Sequence, residues 1–298
     1  MLPSVLPAPC ALALASLLAA SPVPPEAAPV ASPASGIHEL RFNWARDGAL
    51  TGVGALIWIG SEAFLKKDLA SATCGWCDRN ADGTDSLNGL DKWGRGIAGS
   101  TEAQRKRADT WSNVVDFGLL PVGVLGAQYA LSHGSGAPRS VFFQDAGIII
   151  QTAVLSSVLN QTVKFLADRE RPFVHVLPED QKPLTEHPTD NNVSFYSGHT
   201  NLAFALVVSA GTVAELRGYK HREWIWGVGL PLATTVPLLR MAADKHYLTD
   251  VATGALLGSA FGVAVPLLLH GREPQASPGA ASVSVSGGPG SVVLSGRF

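Results

Sequence analysis

Three short stretches carry residue types and spacings that suit phosphate chemistry. In the first, Lys164 is followed seven residues later by Arg171 and then by Pro172. Seven residues are about two helical turns, which puts both cations on one face. Pro172 biases Arg171 out of helical geometry, at a helix exit. Two like charges on one face repel unless an anion lies between them; the competing reading is a solvated or snorkelling pair at the end of a membrane helix. In the second stretch, Tyr196-Ser197-Gly198-His199-Thr200 opens an apolar helical run. A helix N-terminus offers free N–H groups and a partial positive charge. Gly198 lets backbone approach an anion closely, Ser197 adds a hydroxyl donor, and His199 sits in the first turn beside whatever binds there. A Ser N-cap with an incidental histidine accounts for the same letters. In the third, Arg240 precedes His246, and Asp250 follows His246 by four residues. That spacing puts His246 and Asp250 on one helix face. A carboxylate on one ring nitrogen fixes the tautomer and leaves the other nitrogen free to attack. An unpaired carboxylate in an apolar helix is costly, so Asp250 needs a partner, and His246 is the nearest in sequence. A plain i,i+4 ion pair is the alternative.

Six apolar segments must position these residues: about 48–65, 111–131, 146–166, 199–216, 224–239 and 247–269. Most approach the roughly 20 residues that cross a bilayer. Glycine and small residues recur inside them, as in GALLGSAFG at 254–262, a pattern better tolerated in packed membrane helices than in soluble ones. The expected fold is all-α, a six-helix membrane-type bundle with the active site at helix ends. A soluble bundle of buried helices is the competing architecture.

Composition agrees. The chain has 298 residues, 46% of them hydrophobic and only 15% charged, against about 25% charged in an ordinary soluble domain. The net charge is -2, so no basic surplus points to nucleic acid. Anion recognition has to come from a few local cations.

The chain divides into residues 1–36, a signal-like apolar run and a Pro/Ala-rich linker; 37–272, the helical domain; and 273–298, a Gly/Ser/Pro-rich tail. Residues 10–20 are long enough for a signal-peptide core and too short to span a bilayer, and no Lys or Arg precedes them. In the tail, SVSVS and SVVLSGRF flank a Gly-Gly-Pro-Gly turn; the default expectation is a flexible tail, with a small hairpin as the alternative. The polar loop 67–110 holds Cys74-Gly75-Trp76-Cys77, which reads as a local disulfide or as two free thiols. It also holds Asp78-x-Asn80-x-Asp82-Gly83, the first half of a calcium loop without the acidic twelfth position, where Gly89 stands. A solvated Asp/Asn/Gly turn is the simpler expectation, and no metal is assigned to the site.

Taken together, the three stretches resemble the signature of the type-2 phosphatidic acid phosphatase superfamily: K-x6-RP, then PSGH, then SR-x5-H-x3-D. Here these are Lys164–Pro172, Tyr196–His199 and Leu239–Asp250, in the same order and with the same internal spacings. Tyr196 stands where the signature has Pro, and Leu239 where it has Ser, which puts loop geometry and one phosphate hydrogen bond in question. The resemblance implies a metal-independent phosphatase without a cofactor. His246 would be the nucleophile, Asp250 its orienting carboxylate and His199 the general acid. Lys164, Arg171, Ser197, Gly198 and Arg240 would hold the phosphate. It implies a lipid phosphate or diphosphate as substrate, such as phosphatidate, phosphatidylglycerophosphate or a polyprenyl diphosphate. Three other readings use similar residues: an exported soluble acid phosphatase, a vanadium haloperoxidase, and a silent membrane protein that binds anionic lipid headgroups.

The short loop 217–223, Arg-Gly-Tyr-Lys-His-Arg-Glu, is the clearest basic one. If it is cytoplasmic, the catalytic loops 167–198 and 240–246 lie on the periplasmic side of a bacterial inner membrane. Six spans then leave 37–47 in the cytoplasm, whereas a cleaved signal would put them outside.

Overall fold

A computed structural model describes residues 36–273, 282–288 and 291–297. The signal-like run 10–20, most of the linker and Cys10 lie outside the described residues. Among those described there are eight helices: α1 (Trp44–Leu69), α2 (Gly89–Arg95), α3 (Glu102–Gly134), α4 (Arg139–Ala167), α5 (Pro172–His175), α6 (Gly198–Arg217), α7 (Ile225–Ala242) and α8 (Leu248–His270). The six long ones are the six expected from hydropathy. Each of α1, α3 and α7 contains a single π-helical turn, at Ser61–Leu65, Val115–Leu119 and Ile225–Gly229. The tail is not simply flexible chain: Ser282–Gly288 (β1) and Ser291–Arg297 (β2) pair as an antiparallel hairpin.

Helices α1, α3, α4, α7 and α8 are long and apolar enough to cross a membrane. Their outward faces are apolar: Leu56, Phe64, Val122, Leu166, Leu256 and Leu268 are all at least 69% exposed. The interior, by contrast, holds Gln128, Asp145, Gln151, Thr152, Asn160 and Asn201, all buried. An apolar exterior around a partly polar interior is the pattern of a bundle whose solvent is lipid, not water. The soluble-bundle alternative has no account of so much exposed Leu, Val and Phe.

Helix α6 is the buried centre, and α8 packs along it. Gly254, Gly258 and Gly262 make that approach possible. A Cβ at Gly258 would lie 2.3 Å from the Asn201 carbonyl oxygen, and one at Gly262 would lie 2.6 Å from Val208 Cβ. Spacing small residues by four puts them on one stripe of the helix. The consequence for the site is that the N-termini of α6 and α8 are held together. The Ser197 N–H donates to the Asp250 carbonyl at 3.1 Å.

At the opposite end, the segment before α1 meets the ends of α6 and α8. His38 N–H donates to the Arg217 carbonyl at 3.0 Å, and Arg41 N–H to that of Gly271 at 3.2 Å. Beneath them, buried Asp145 accepts from Arg217 Nε at 2.8 Å and from the Tyr219 hydroxyl at 2.6 Å. Residues 36–43 and the basic loop 217–223 therefore share the end away from the predicted site.

Candidate active site

All eight residues predicted from the sequence lie at one end of the bundle, where α4 and α7 finish and α6 and α8 begin. Lys164 is in the last turn of α4. It packs over the start of α6 so closely that a Cβ on Gly198 would sit 3.0 Å from Lys164 Nζ and 2.8 Å from Asn160 Oδ1. Only glycine leaves that space open. Asn160 also donates to the Tyr196 carbonyl at 2.7 Å, which anchors the cradle loop at the position where the signature has Pro. Ser197 is the N-cap of α6, its Oγ accepting from Thr200 N–H at 3.4 Å; the hydroxyl hydrogen remains available to a ligand.

Arg171 N-caps the short helix α5, and its own N–H donates to the Asn191 carbonyl at 2.8 Å. Its Nε is buried and, among the described residues, has no hydrogen-bond partner. Arg240, in the last turn of α7, donates from Nη1 to Asp109 Oδ1 at 2.5 Å and to Ser112 Oγ at 3.1 Å. Its Nε is likewise buried without a partner. Buried donors are almost always satisfied. Two guanidinium Nε–H groups left over among the described residues, beside Lys164 and a helix N-terminus, make a site shaped for an anion.

His246 lies in the turn between α7 and α8, 2% exposed. Burial, then Arg171, Arg240 and Lys164, push its imidazole well below the ordinary histidine range. The ring therefore stays neutral and keeps a lone pair. Lys245, next to it, is lowered by burial and by Arg171, and its Nζ lies 4.8 Å from the Phe173 ring centroid. It adds a fourth cation that the sequence motifs did not single out.

The pairing of His246 with Asp250 is looser than the sequence spacing predicts. Nδ1 of His246 is 3.6 Å from Asp250 Oδ2, close enough for charge but too long for a hydrogen bond. Asp250 is instead satisfied by Arg169 Nη1 at 2.6 Å, the Ser194 hydroxyl at 2.6 Å and the Tyr247 N–H at 2.9 Å. The sequence argument sought the nearest partner along the chain, but the fold supplies Arg169 from 81 residues away.

A further wall comes from the first half of α3, whose residues 102–110 the sequence reads as polar loop and whose residues from 111 on it reads as helix. Asp109, Ser112, Asn113 and Asp116 recur at helical spacing. Asp109 and Ser112 hold Arg240, and Asn113 Oδ1 meets His199 Nε2 at 2.7 Å. One turn on, Phe117 stands edge-on to the His199 ring, with centroids 5.0 Å apart. That polar stripe was the available signal. It was cut in two: Glu102–Arg107 is too charged to register as part of a membrane helix, so Asp109 fell in the expected loop while Ser112, Asn113 and Asp116 fell in the expected helix.

The calcium-loop resemblance dissolves in the fold. Asp78 Oδ2 receives Arg169 Nε and Nη2 at 3.0 and 2.9 Å, while Asp82 Oδ1 receives the N–H and hydroxyl of Thr84. Among the described residues no three His, Cys, Asp or Glu side chains are grouped as a metal site would need. Cys74 and Cys77 are joined as a disulfide.

The profile of the PAP2 superfamily matches residues 145–274. The match covers less than half of the chain. The PAP2 segment runs from α4 through α8 and contains all eight predicted site residues, whereas the α3 wall and the disulfide loop lie outside it. A curated relative, the bacitracin transport permease protein BcrC of Bacillus licheniformis, is 38% identical over 105 residues, which is 35% of this chain and 46% of the relative. The alignment thus spans less than half the length of that relative. No solved structure matches the chain.

Proposed function

We propose that this protein is a phosphatase of the PAP2 type, acting on a lipid phosphate or diphosphate without a metal ion. One observation carries the reading. Lys164, Arg171 and Arg240 surround a buried neutral His246, and two of their guanidinium Nε–H groups have no acceptor among the described residues. Phosphoryl transfer needs in-line attack and neutralisation of three equatorial oxygens. The three cations, the Ser197 hydroxyl and the N–H groups at the start of α6 supply the second requirement.

His246 supplies the first. Its Nδ1 faces Asp250, so Nε2 is the attacking atom. Attack on phosphorus forms a phosphohistidine and breaks the ester or anhydride bond. His199 gives its proton to the departing oxygen, then takes one from the water that hydrolyses the phosphohistidine. The apolar exterior supports a lipid substrate over the freely soluble esters of an exported acid phosphatase. An oriented nucleophile beside a second histidine is more than a headgroup-binding protein requires.

The basic loop 217–223 lies at the end away from the site. With that loop cytoplasmic, the site faces the periplasm of a bacterial inner membrane, a compartment that keeps the Cys74–Cys77 disulfide oxidised. Residues 36–43 are then cytoplasmic, which disfavours cleavage after the apolar run at 10–20.

Phosphate release by the full chain in detergent, in the presence of chelator, tests the proposal. A lipid monophosphate, a polyprenyl diphosphate and p-nitrophenyl phosphate are compared. Chelator-resistant release, faster from a lipid, is expected. No release from any of the three overturns the reading.

A further inference from the structure

Arg169 is fully buried and uses every edge of its guanidinium. Nη1 donates to Asp250 Oδ1 at 2.6 Å and to Thr249 Oγ1 at 2.8 Å. Nη2 donates to Asp91 Oδ2 at 2.7 Å and to Asp78 Oδ2 at 2.9 Å, and Nε to the same Asp78 oxygen at 3.0 Å. Both faces are covered as well: the guanidinium carbon lies 4.1 Å from the Trp76 ring centroid and 4.2 Å from that of Tyr247. Only a planar fork can serve three carboxylates and two aromatic faces at once.

Trp76 is held independently. It sits in the four-residue loop closed by the Cys74–Cys77 disulfide. The N–H groups of Gly75 and Trp76 donate to the Asp168 carbonyl at 3.0 and 3.3 Å, and the Trp76 carbonyl accepts from Glu170 N–H at 3.1 Å. The indole N–H donates to Asp78 Oδ1 at 2.8 Å. The loop thus clamps the segment 168–170 and lays its tryptophan on Arg169. Two residues later the same segment turns Arg171 into the phosphate site.

We propose that Arg169 is a positioning residue for the reaction, fixing Asp250 and through it His246, and that the disulfide loop 74–77 holds Arg169 in register through Trp76 and Asp78. This rests on the phosphatase reading. Asp250 touches both Arg169 and the region of His246 Nδ1. A carboxylate that shifts with a loosened Arg169 turns the imidazole away from the line of attack. Arg171 keeps an anchor of its own, its N–H donating to the Asn191 carbonyl at 2.8 Å. The cradle of Lys164, Arg171 and Arg240 therefore stays in place, and chemistry suffers while phosphate binding does not.

Arg169→Ala takes the cation from buried Asp250 and Asp91 and from half-buried Asp78, a change that destabilises strongly, so the test acts on the clamp. Trp76→Ala, Trp76→Phe and the double variant Cys74→Ser/Cys77→Ser are made in the full chain. Three quantities are measured in detergent: kcat, inhibition by vanadate, and the 15N resonances of the His246 ring. Misplacing a reacting group by about 1 Å costs on the order of 100-fold. Trp76→Ala and the double variant should therefore lose about 10- to 100-fold in kcat, with vanadate inhibition unchanged and the His246 resonances displaced. Trp76→Phe, which keeps an aromatic face on Arg169, should restore both. Unchanged kcat and resonances in Trp76→Ala overturn the proposal, as does an equal loss of kcat and vanadate affinity, which marks a site that has simply collapsed. If the wild-type chain releases no phosphate, the phosphatase reading falls, and the His246 resonances alone decide: displacement in Trp76→Ala supports the positioning role, and no displacement refutes it.

Discussion

Asp109 and Arg240 form an ion pair between α3 and α7, with Oδ1 2.5 Å from Nη1. The pair fixes one edge of the guanidinium and leaves Nε without a partner among the described residues. Arg240 is therefore aimed before any phosphate arrives. Its aim depends on a residue outside the PAP2 segment.

Loss of that aim should appear in binding. Asp109→Ala removes a charge-assisted hydrogen bond worth about 1.5–3 kcal/mol, so vanadate inhibition should weaken by about 10-fold or more while kcat changes less. Asp109→Asn keeps an acceptor oxygen and should fall between. Vanadate inhibition as strong in Asp109→Ala as in wild type would show that Arg240 needs no such support.

Asn113 makes a different prediction. It holds His199 Nε2 at 2.7 Å, and His199 is the proposed acid for the departing oxygen. Acid catalysis matters most when the leaving group is a poor one. Asn113→Ala and His199→Ala should both cost about 10²–10⁴-fold with an alkyl or lipid phosphate, and far less with p-nitrophenyl phosphate, whose leaving group needs little protonation. Equal losses on both substrates would remove His199 from that role.

The pH profile follows from His246. Burial and the neighbouring Arg171, Arg240 and Lys164 lower its pKa well below 6.5. As the proposed nucleophile the ring attacks only when neutral, so activity should be lost as pH falls through that lowered value and be retained at pH 6.5 itself. In kcat/KM the acid limb should lie well below 6.5. Arg171→Gln removes the cation that lowers it most and should move the limb upward, toward the ordinary histidine value. A limb that does not move with Arg171 belongs to the substrate or to another group.

Gly198 is a steric test. A Cβ there would lie 2.8 Å from Asn160 Oδ1 and 3.0 Å from Lys164 Nζ. Gly198→Ala should displace Lys164 and cost roughly 10- to 100-fold in kcat/KM in a protein that still folds. Gly258→Leu, where the obstacle is the backbone of α6 at 2.3 Å, should instead prevent folding, seen as aggregation on extraction. Full activity in Gly198→Ala would mean the cradle is looser than the contacts indicate.

Much of this site was legible in the sequence because its parts are local. Lys164 and Arg171, His246 and Asp250, and the Ser197–Gly198 helix start are each close along the chain. But α4 ends at Ala167 and His246 stands in the turn before α8, so neither pair shares one helix face as the spacing predicts, and chain proximity brings them together instead. Hydropathy found the six long helices for the same reason. What was missed depends on pairing across the chain. Arg169 reaches Asp78 over 91 residues and Asp250 over 81, and no local spacing reports such a contact. Asp78 was therefore weighed as a calcium ligand, and Asp250 was given to His246 alone. The start of α3 was lost for another reason. Its first turns are charged, and hydropathy registers a helix only where it becomes apolar.

The central claim is a covalent phosphohistidine on His246. Rapid acid-free quenching of the enzyme during turnover, followed by peptide mass spectrometry, tests it most directly. The account predicts phosphate on the imidazole of His246 during turnover, stable to base and lost in acid, and neither phosphoprotein nor turnover in His246→Ala. Turnover that continues at the wild-type rate in His246→Ala, or phosphate trapped on a different side chain, contradicts it.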